Sequence, residues 1–453
     1  MYVLEVEHVV FDREDAEDYL VRMRGLSDWI DQFIALEEEA NASGCPSSWF
    51  VLSPLVYLVE ETLPYYCERH DLVENLAGQL ELALGIDEAE REALLAEAEW
   101  ISCNIVIPAY ERLLAALEGW VDSAPRTIGQ AVCPAFESAY RGWLATVTSL
   151  TAEEIHELAT AEALDLKQQI RDLAAENGLP QDGPIVNVAN ALYAGCVDLE
   201  LEDAIVEYER LVDEAEARCH DLFLAMPGIK PDVILRPDRL GEVGGAHFVW
   251  RMIGGEFCAT VAFSYYENSE RAHVFRGLAY HEGYPGHHLQ RATALELDLP
   301  WFQQFYDDSF CQEGWAAYAE SLAMEQGWYD GDLCGTTDYL YSQMFSAALA
   351  ALDTGVFALG WDRREAEQFL RTIYGGPLGE YTMIDRVLAR PGELLSYWLG
   401  HYTFMTLRTS AEDAIGDSFD LREFHDVVLR NGVLPLPVLE DVVEAYIEET
   451  LAD

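Results

Sequence analysis

The sequence predicts a mostly α-helical fold with one small β element. Apolar side chains recur at helical spacing through most of the first 180 residues, and one later segment, 256–266, is rich in β-branched and aromatic residues. The chain has 453 residues, of which 50% are hydrophobic, so it can bury a substantial core. We expect a large helical architecture around a deep cleft, with the β element beside a histidine-bearing helix.

The first predicted helix begins near Asp15. Apolar residues then alternate at spacings of four and three, which places them on one helix face: Tyr19, Met23, Leu26, Ile30 and Phe33. Similar patterns predict helices within four further segments: 54–82, 86–120, 127–148 and 152–176. ENGLPQDGP, from Glu176 to Pro184, holds Gly and Pro residues that break the helical pattern, so it predicts a loop.

The segment 226–266 departs from the helical pattern. PGIKPDVILRPDRLGE has the composition of a loop, whereas EFCATVAFSYY, at 256–266, has that of a strand. The strand lies shortly before the histidine motif described below. Two interpretations follow: an edge strand that pairs with an extended peptide, or a small hairpin that covers the core.

The formal net charge of −55 excludes several classes of partner. Lys167 and Lys230 are the only lysines, and every other basic side chain is arginine. This combination indicates adaptation to concentrated salt, where screening weakens the self-repulsion of the acidic surface. Binding to nucleic acid or to an anionic membrane is not expected.

The cellular compartment of the protein and the redox state of its cysteines are predicted from sequence features that are missing. The start, MYVLEVEHVVF, lacks the basic and apolar regions of a secretion signal, and no segment approaches the roughly 20 apolar residues of a membrane span. The nine cysteines are scattered without a C-x-x-C pair. We therefore predict a soluble, cytoplasmic protein whose cysteines are reduced.

The stretch YHEGYPGHHLQ, at 280–290, carries the clearest chemical signal. A catalytic zinc needs about three protein ligands and an open position for water. His281 can supply one ligand, and the adjacent Glu282 can accept a proton from the water as a general base. On a continuous helix His288 would share a face with His281, but Pro285 predicts a break that would bring His287 into that place. Both choices stay open.

HEGYPGHHLQ resembles the H-E-x-x-P-G-H-H-x-Q signature of a family of domain-of-unknown-function proteins regarded as gluzincin-like metallopeptidases. Three more segments resemble family segments in the same order: EGWAAYAE at 313–320, PGELLSYWLG at 391–400 and FHDVVLRNGVLPLPVLE at 424–440. The resemblance covers about residues 230–453. It implies zinc-dependent hydrolysis of peptide bonds, with one Zn²⁺ per chain.

The resemblance also implies roles for residues outside the histidine motif. In helical zinc peptidases similar to thimet oligopeptidase, a glutamate on the next helix completes the metal site, and Glu313 occupies that place here. Glu320 would orient a ligand histidine through its other ring nitrogen. Tyr397 would donate a hydrogen bond to an oxyanion, and Arg408 would hold a carboxylate. His287 is the preferred ligand, which leaves His288 for a supporting or substrate contact.

One departure from the family pattern concerns activity. The family segment D-T-G-x-H appears here as DTGVF, with Phe357 in place of the histidine. A metal-dependent amidase acting on a non-peptide substrate, or a non-catalytic helical scaffold with a retained metal site, are therefore alternatives. Residues 1–225 are interpreted as a helical wall of the cleft, and residues 226–453 as the metal-binding catalytic part of the same structural unit. The sequence does not indicate an oligomeric state.

Overall fold

Helices form most of the chain, which confirms the predicted mostly α class. The computed structural model describes residue 4 and residues 8–64, 71–238, 246–253, 256–266, 269–375 and 380–452. The α-helices are α1 Arg13–Ala42, α2 Trp49–Pro64, α3 Asp71–Leu80, α4 Glu88–Ile101, α5 Ile107–Val121, α6 Phe136–Val147, α7 Ala152–Glu176, α8 Ile185–Tyr193, α9 Leu201–Cys219, α10 Arg276–Glu282, α11 His287–Glu296, α12 Trp301–Gln304, α13 Ser309–Glu325, α14 Leu333–Phe357, α15 Arg363–Tyr374, α16 Glu380–Ala389, α17 Glu393–Ile415, α18 Leu421–Leu429 and α19 Leu436–Ala452.

The chain divides into two compact units. The first contains Met1–Phe136 and Arg251–Glu256, and the second contains Glu137–Trp250 and Phe257–Asp453. The interpretation of residues 1–225 as one wall of a cleft stays a prediction.

The first unit is built on the predicted face of α1. Tyr19, Met23 and Ile30 are fully buried, while Leu26 and Phe33 pack against the same cores from partly buried positions. Asp12 caps this helix by accepting hydrogen bonds from the backbone N–H groups of its first turn. The periodicity therefore identified both the helix and its buried side.

Most other predicted helices are present, with shifted boundaries. The segment 86–120 forms α4 and α5, joined by a π-helical turn at Ser102–Val106. The segment 127–148 is helical only from Phe136, apart from a short 3₁₀ turn at Gly129–Ala131. The predicted 54–82 helix corresponds to α2 and α3, and residues 65–70 lie outside the described part of the chain. No described helix is both long and apolar enough to cross a membrane.

The second unit contains the helices that carry the candidate site. In this unit α14 packs along α7, and α13 packs along α17. The predicted loop at 176–184 separates α7 from α8, and two of its glycines have positive φ angles, 68° at Gly178 and 93° at Gly183. Glycine adopts this left-handed conformation without the steric cost that a Cβ would impose.

The described strands form two small sheets. They are β1 Leu199–Glu200, β2 Pro231–Asp238, β3 Ala246–Ile253, β4 Glu256–Tyr266 and β5 Arg271–Ala272. β1 pairs with β5 in antiparallel fashion, and the larger sheet has the order β2-β4-β3. The predicted strand at 256–266 is therefore β4.

One expectation about this sheet was wrong, and one of the two interpretations of residues 256–266 is excluded. Residues 231–238, predicted as a loop, form β2, which pairs in parallel with β4 in the register Pro231↔Ala259. Prolines at 231 and 237 are tolerated because β2 is an edge strand, where one side needs no ladder bonds. β4 is also not an edge, because β2 and β3 occupy both of its sides. Only β2 and β3 could accept an added peptide strand in this sheet.

The prediction that the cysteines are reduced was also wrong for four of them. Cys45 is bonded to Cys133, and Cys196 is bonded to Cys334. The two cysteines of each disulfide lie far apart in sequence, so their spacing in the chain gave no sign of the pairing. Disulfides persist in oxidising compartments. They count against the cytoplasmic location, which stays a prediction.

We expect mass spectrometry of alkylated but unreduced protein to detect the peptide pairs linked by Cys45–Cys133 and Cys196–Cys334. Because these bonds occupy four of the nine cysteines, at most five thiols should react with iodoacetamide after denaturation. Detection of nine reactive thiols in protein purified without reductant would contradict the pairing.

Candidate metal site

The helix that carries the histidine motif is broken between its two histidine positions. α10 ends at Glu282, and α11 begins at His287. The peptide bond between Tyr284 and Pro285 is cis. The break brings the rings of His281 and His287 to a centroid distance of 4.8 Å, with their planes perpendicular. The predicted break therefore selects His287, rather than His288, as the neighbour of His281.

Gly286 makes this break sterically feasible. Its N–H donates to the carbonyl oxygen of Tyr280 at 3.0 Å. A Cβ atom at this position would lie 1.8 Å from the carbonyl oxygen of His281. The Trp315 indole Nε1–H donates to the carbonyl oxygen of Pro285 at 2.9 Å, which fixes the turn to α13. The same helix presents Glu313, so one hydrogen bond aligns both halves of the site.

The candidate ligands come from α10, α11 and α13. The Oε2 atom of Glu313 lies 3.4 Å from Nε2 of His281 and 3.5 Å from Nε2 of His287. Donor atoms of His281, Glu282 and His287 also lie within 4.8 Å of one another, and all three residues are buried. The structure thus brings together the four residues that the sequence singled out as metal ligands and base.

The spacing of these donors suits zinc. Tetrahedral zinc with nitrogen and oxygen ligands at ~2.0–2.1 Å places neighbouring ligand atoms about 3.3 Å apart. The two distances from Glu313 to the imidazole nitrogens agree with this value. The set of two histidines and one carboxylate is also one that catalytic zinc sites use. The residues present therefore fit the ion.

Glu320 supports the site from behind His281. Its Oε1 atom accepts a hydrogen bond from Nδ1 of His281 at 2.8 Å, and Glu320 is 5% exposed. When the proton of His281 is on Nδ1, the lone pair of Nε2 is free to bind a metal ion. It points toward the other candidate ligand atoms. This arrangement is the one expected for Glu320.

Charge within the cluster favours a cation. Burial opposes protonation of His281, but hydrogen bonds to Glu313 and Glu320 outweigh burial and hold its pKa well above the usual value. Burial likewise acts to raise the pKa of Glu313, yet the neighbouring His287 and His281 outweigh it and lower that pKa. Glu282 is also buried in this cluster. Together with Glu313 and Glu320 it makes three glutamates around two imidazoles. A divalent cation would compensate their negative charge.

A close helix crossing places Tyr397 beside the ligands. A Cβ on Gly314 of α13 would lie 2.4 Å from Cα of Gly400 on α17, so only glycines permit this approach. The Tyr397 ring lies 6.2 Å from that of His281, centroid to centroid. Burial, followed by the negative charge of Glu313, raises the Tyr397 pKa well above its usual value. The phenol therefore keeps its proton and can act as a hydrogen-bond donor.

His288 has a different environment from His287. Its Nε2 atom lies 2.9 Å from the carbonyl oxygen of Ile229 and 3.1 Å from the hydroxyl of Tyr284. The residue is fully buried, and burial lowers its pKa to about 4. His288 thus connects α11 to the backbone that leads into β2, rather than joining the candidate ligands.

Arg408 is occupied by protein carboxylates. Its guanidinium donates to Glu325 at 2.7 Å and to Glu412 at 2.9 Å, and it contacts the Tyr318 hydroxyl at 3.5 Å. The two glutamates therefore pair with the guanidinium charge that was expected to bind a substrate carboxylate. The structure does not bring Arg408 together with the candidate ligands.

The segment containing Phe357 supports the helix that carries Tyr397. Asp353 is fully buried, accepts a hydrogen bond from the Tyr140 hydroxyl at 2.5 Å, and accepts another from the N–H of Gly392 at 2.8 Å. Gly392, with φ of 82°, is the N-cap residue directly before α17. The Phe357 ring packs 5.6 Å from that of Tyr140. In DTGVF, Asp353 therefore accepts hydrogen bonds that hold neighbouring segments, and Phe357 packs against Tyr140.

Sequence reasoning missed a polar group near these residues. His401 lies one turn after Tyr397 on α17, and its Nε2 atom is 2.9 Å from the hydroxyl of Ser321 on α13. Ser321 directly follows Glu320 and also lies 3.1 Å from the Tyr339 hydroxyl. The four-residue spacing between Tyr397 and His401 was the available signal, since such positions share a helix face.

A mostly α fold with a buried histidine and glutamate cluster defines the class of this protein. Its sequence belongs to the family described as "Bacterial protein of unknown function (DUF885)", which matches residues 2–443. This confirms the predicted kinship at the level of a family of unknown function. No curated protein matches the sequence.

Two solved structures share the fold. One is described as "the putative lipoprotein from Colwellia psychrerythraea", with a TM-score of 0.89 and 24% identity, covering 99% of this chain and 78% of that one. The other is described as "a putative lipoprotein of unknown function from Shewanella oneidensis", with a TM-score of 0.66 and 17% identity, covering 95% of this chain and 78% of that one. At these identities the likeness establishes the fold alone.

We expect Gly286→Ala to disrupt the turn between α10 and α11, because the new Cβ would overlap the His281 carbonyl. The free energy of unfolding should fall by about 2–3 kcal/mol, as measured by chemical denaturation. Gly142→Ala is the matched control, since a Cβ there meets no atom within 4 Å. Equal stability of the two variants would contradict the role assigned to Gly286.

Asp353 should make stability depend on pH. Burial is the largest influence on this carboxyl and raises its pKa from 3.8 to about 7. The folded state therefore keeps a proton that the unfolded chain loses, so this contribution is complete below pH 3.8 and is lost as pH rises toward 7.

Between pH 5 and pH 8, the wild type should lose about 2 kcal/mol of unfolding free energy relative to Asp353→Asn. Denaturation at both pH values measures this difference, and Asp441→Asn, at an exposed position on α19, is the control. Parallel pH profiles for wild type and Asp353→Asn would refute the assignment.

Proposed function

We propose that this protein is a zinc-dependent peptidase. The supporting observation is the single Glu313 oxygen that lies 3.4 and 3.5 Å from two imidazole nitrogens, with Glu282 buried beside them. His281, His287 and Glu313 would hold one zinc ion. When bound there, zinc would polarise the substrate carbonyl and lower the pKa of a water molecule to near 7.

The protein groups would handle the protons and the developing charge. Glu282 would accept the proton of the attacking water and then deliver it to the leaving amine. Tyr397, whose phenol stays protonated, would donate a hydrogen bond to the oxyanion as the carbonyl becomes tetrahedral. Glu320 would keep His281 oriented during both steps.

Short peptides are the proposed substrates. An amidase acting on a non-peptide substrate would use the same four residues, so comparison of peptide and simple amide substrates separates the two activities. The scaffold alternative depended on Phe357, which packs against Tyr140. The peptidase proposal is preferred because the ligand cluster retains every residue that the chemistry requires. Exopeptidase and endopeptidase action both remain compatible with the site.

Protein purified in high salt, without chelator or metal-affinity resin, should contain about one zinc per chain by elemental mass spectrometry. Glu313→Ala should lose it, because two imidazoles alone bind zinc weakly. Glu320→Gln should retain zinc but bind it 10–100-fold more weakly in chelator competition. Absence of zinc from the wild type, even after zinc is added and the excess removed, would refute the metal site.

Glu282→Gln should separate metal binding from catalysis. We expect this variant to hold zinc like the wild type, yet to lose at least about 100-fold in kcat on any peptide that the wild type cleaves, since the general base is gone. Peptide libraries analysed by mass spectrometry provide the assay. Unchanged cleavage in this variant would exclude Glu282 as the base.

A further inference from the structure

One side of α17 is partly exposed next to the candidate site. Partly exposed residues recur every four positions, at Glu393, Tyr397, His401 and Met405, while residues 394–396 and 398–400 are buried. Positions four apart lie on one side of a helix. Tyr397 and His401 therefore lie on the same side of α17, and the Tyr397 ring lies 6.2 Å from that of His281, centroid to centroid.

A hydrogen-bond chain sets the orientation of His401. The Tyr339 hydroxyl lies 3.1 Å from the Ser321 hydroxyl, which lies 2.9 Å from Nε2 of His401. With the phenol of Tyr339 as donor, the hydroxyl of Ser321 accepts from it and donates to Nε2. The remaining proton of His401 is then on Nδ1, on the side of the ring away from Ser321.

Among the described residues, the hydrogen bond of the His401 ring is the one between Nε2 and Ser321, which leaves Nδ1 for another partner. His425 provides a contrast within the same unit. Its Nε2 atom pairs with the Tyr318 hydroxyl at 2.8 Å and its Nδ1 atom pairs with the Leu222 carbonyl at 2.8 Å, so both nitrogens are satisfied. In the tautomer in which Ser321 donates to Nε2, Nδ1–H of His401 is a donor held in a fixed orientation.

We propose that His401 is a substrate-binding residue that donates its Nδ1–H to a peptide carbonyl oxygen one or two residues from the scissile bond. This inference rests on the proposed peptidase function. Cβ atoms four residues apart on a helix lie about 6 Å apart, and an extended peptide advances about 3.3 Å per residue. A chain bound with its scissile carbonyl at Tyr397 therefore reaches His401 within two residues.

The expected ligand atom is a neutral carbonyl rather than a carboxylate. Burial lowers the pKa of His401 to about 4, so the imidazole is uncharged near neutral pH. A neutral N–H donor satisfies the carbonyl of any peptide bond without regard to side chains. His401 would then contribute to affinity for the peptide backbone and not to the selection of one sequence.

The test combines variants with a modified substrate. For a peptide that the wild type cleaves, His401→Ala should raise KM about tenfold and change kcat less than threefold, and His401→Gln should recover part of the loss. Analogues in which one carbonyl near the scissile bond is replaced by CH₂ should weaken binding to the wild type. The analogue that lacks the carbonyl contacted by His401 should bind His401→Ala no more weakly than the unmodified peptide does.

His425→Gln is the matched control, because this fully buried histidine has both nitrogens paired. It should lower thermal stability and leave KM unchanged. If His401→Ala instead lowers stability or zinc content and leaves KM unchanged, His401 is a structural residue and the proposal is overturned. Additive losses from the variant and every CH₂ analogue would overturn it as well.

Binding to zinc-loaded Glu282→Gln, measured by calorimetry with a capped hexapeptide of mixed sequence, separates this proposal from the function on which it rests. If the wild type cleaves no peptide, the peptidase proposal fails. Binding that His401→Ala weakens about tenfold in the same background would still support the carbonyl contact. Equal binding with and without His401, or no binding of the hexapeptide at all, would overturn it.

Discussion

The candidate site depends on a helix that stops and restarts between Glu282 and His287. Because the Gly286 position has no room for a Cβ next to the His281 carbonyl, a glycine is required there for the chain to turn so tightly. Trp315 then fixes the turn to α13, two residues after Glu313. The chain thus reaches a histidine pair suited to one ion without a continuous H-E-x-x-H helix. Mutations of residues that are not themselves ligands, such as Gly286 or Trp315, would consequently alter the geometry of the ligands.

The second constraint is the close contact between α13 and α17. Gly314 and Gly400 allow the two backbones to touch, and the Tyr397 ring of α17 lies 6.2 Å from that of His281, centroid to centroid. Asp353 holds the start of α17 through the N–H of Gly392. The family segments around residues 313, 353 and 392 therefore meet in space. Together these segments place the phenol of Tyr397, on α17, and the carboxylate of Glu313, on α13, next to His281.

Acidic residues have two different fates in this chain. Most of the 82 aspartates and glutamates make the protein strongly negative, and many cap helices or lie on the surface, as Asp12 does. Glu282 and Glu320 are buried, and Glu313 is partly so, within one cluster beside imidazoles. Taking carboxylates out of water is costly unless each is paired or coordinated. The cluster could therefore be compensated by the cation proposed above, whereas the abundant surface carboxylates are hydrated.

The sequence by itself determined the helical class, the face of α1 that is buried, and the motif that holds His281 and Glu282, because each depends on local periodicity or on a short motif. It could not decide between His287 and His288, since that choice depends on the geometry of the break. Nor could it reveal β2 as a strand, β4 as a central strand, or the pairs Cys45–Cys133 and Cys196–Cys334, because pairing partners lie far away in sequence. Tertiary structure also assigned Arg408 to glutamate partners and paired Nε2 of His401 with Ser321. Contacts between distant segments decide the strand pairing, the disulfides and the partners of Arg408, and no local pattern encodes these contacts.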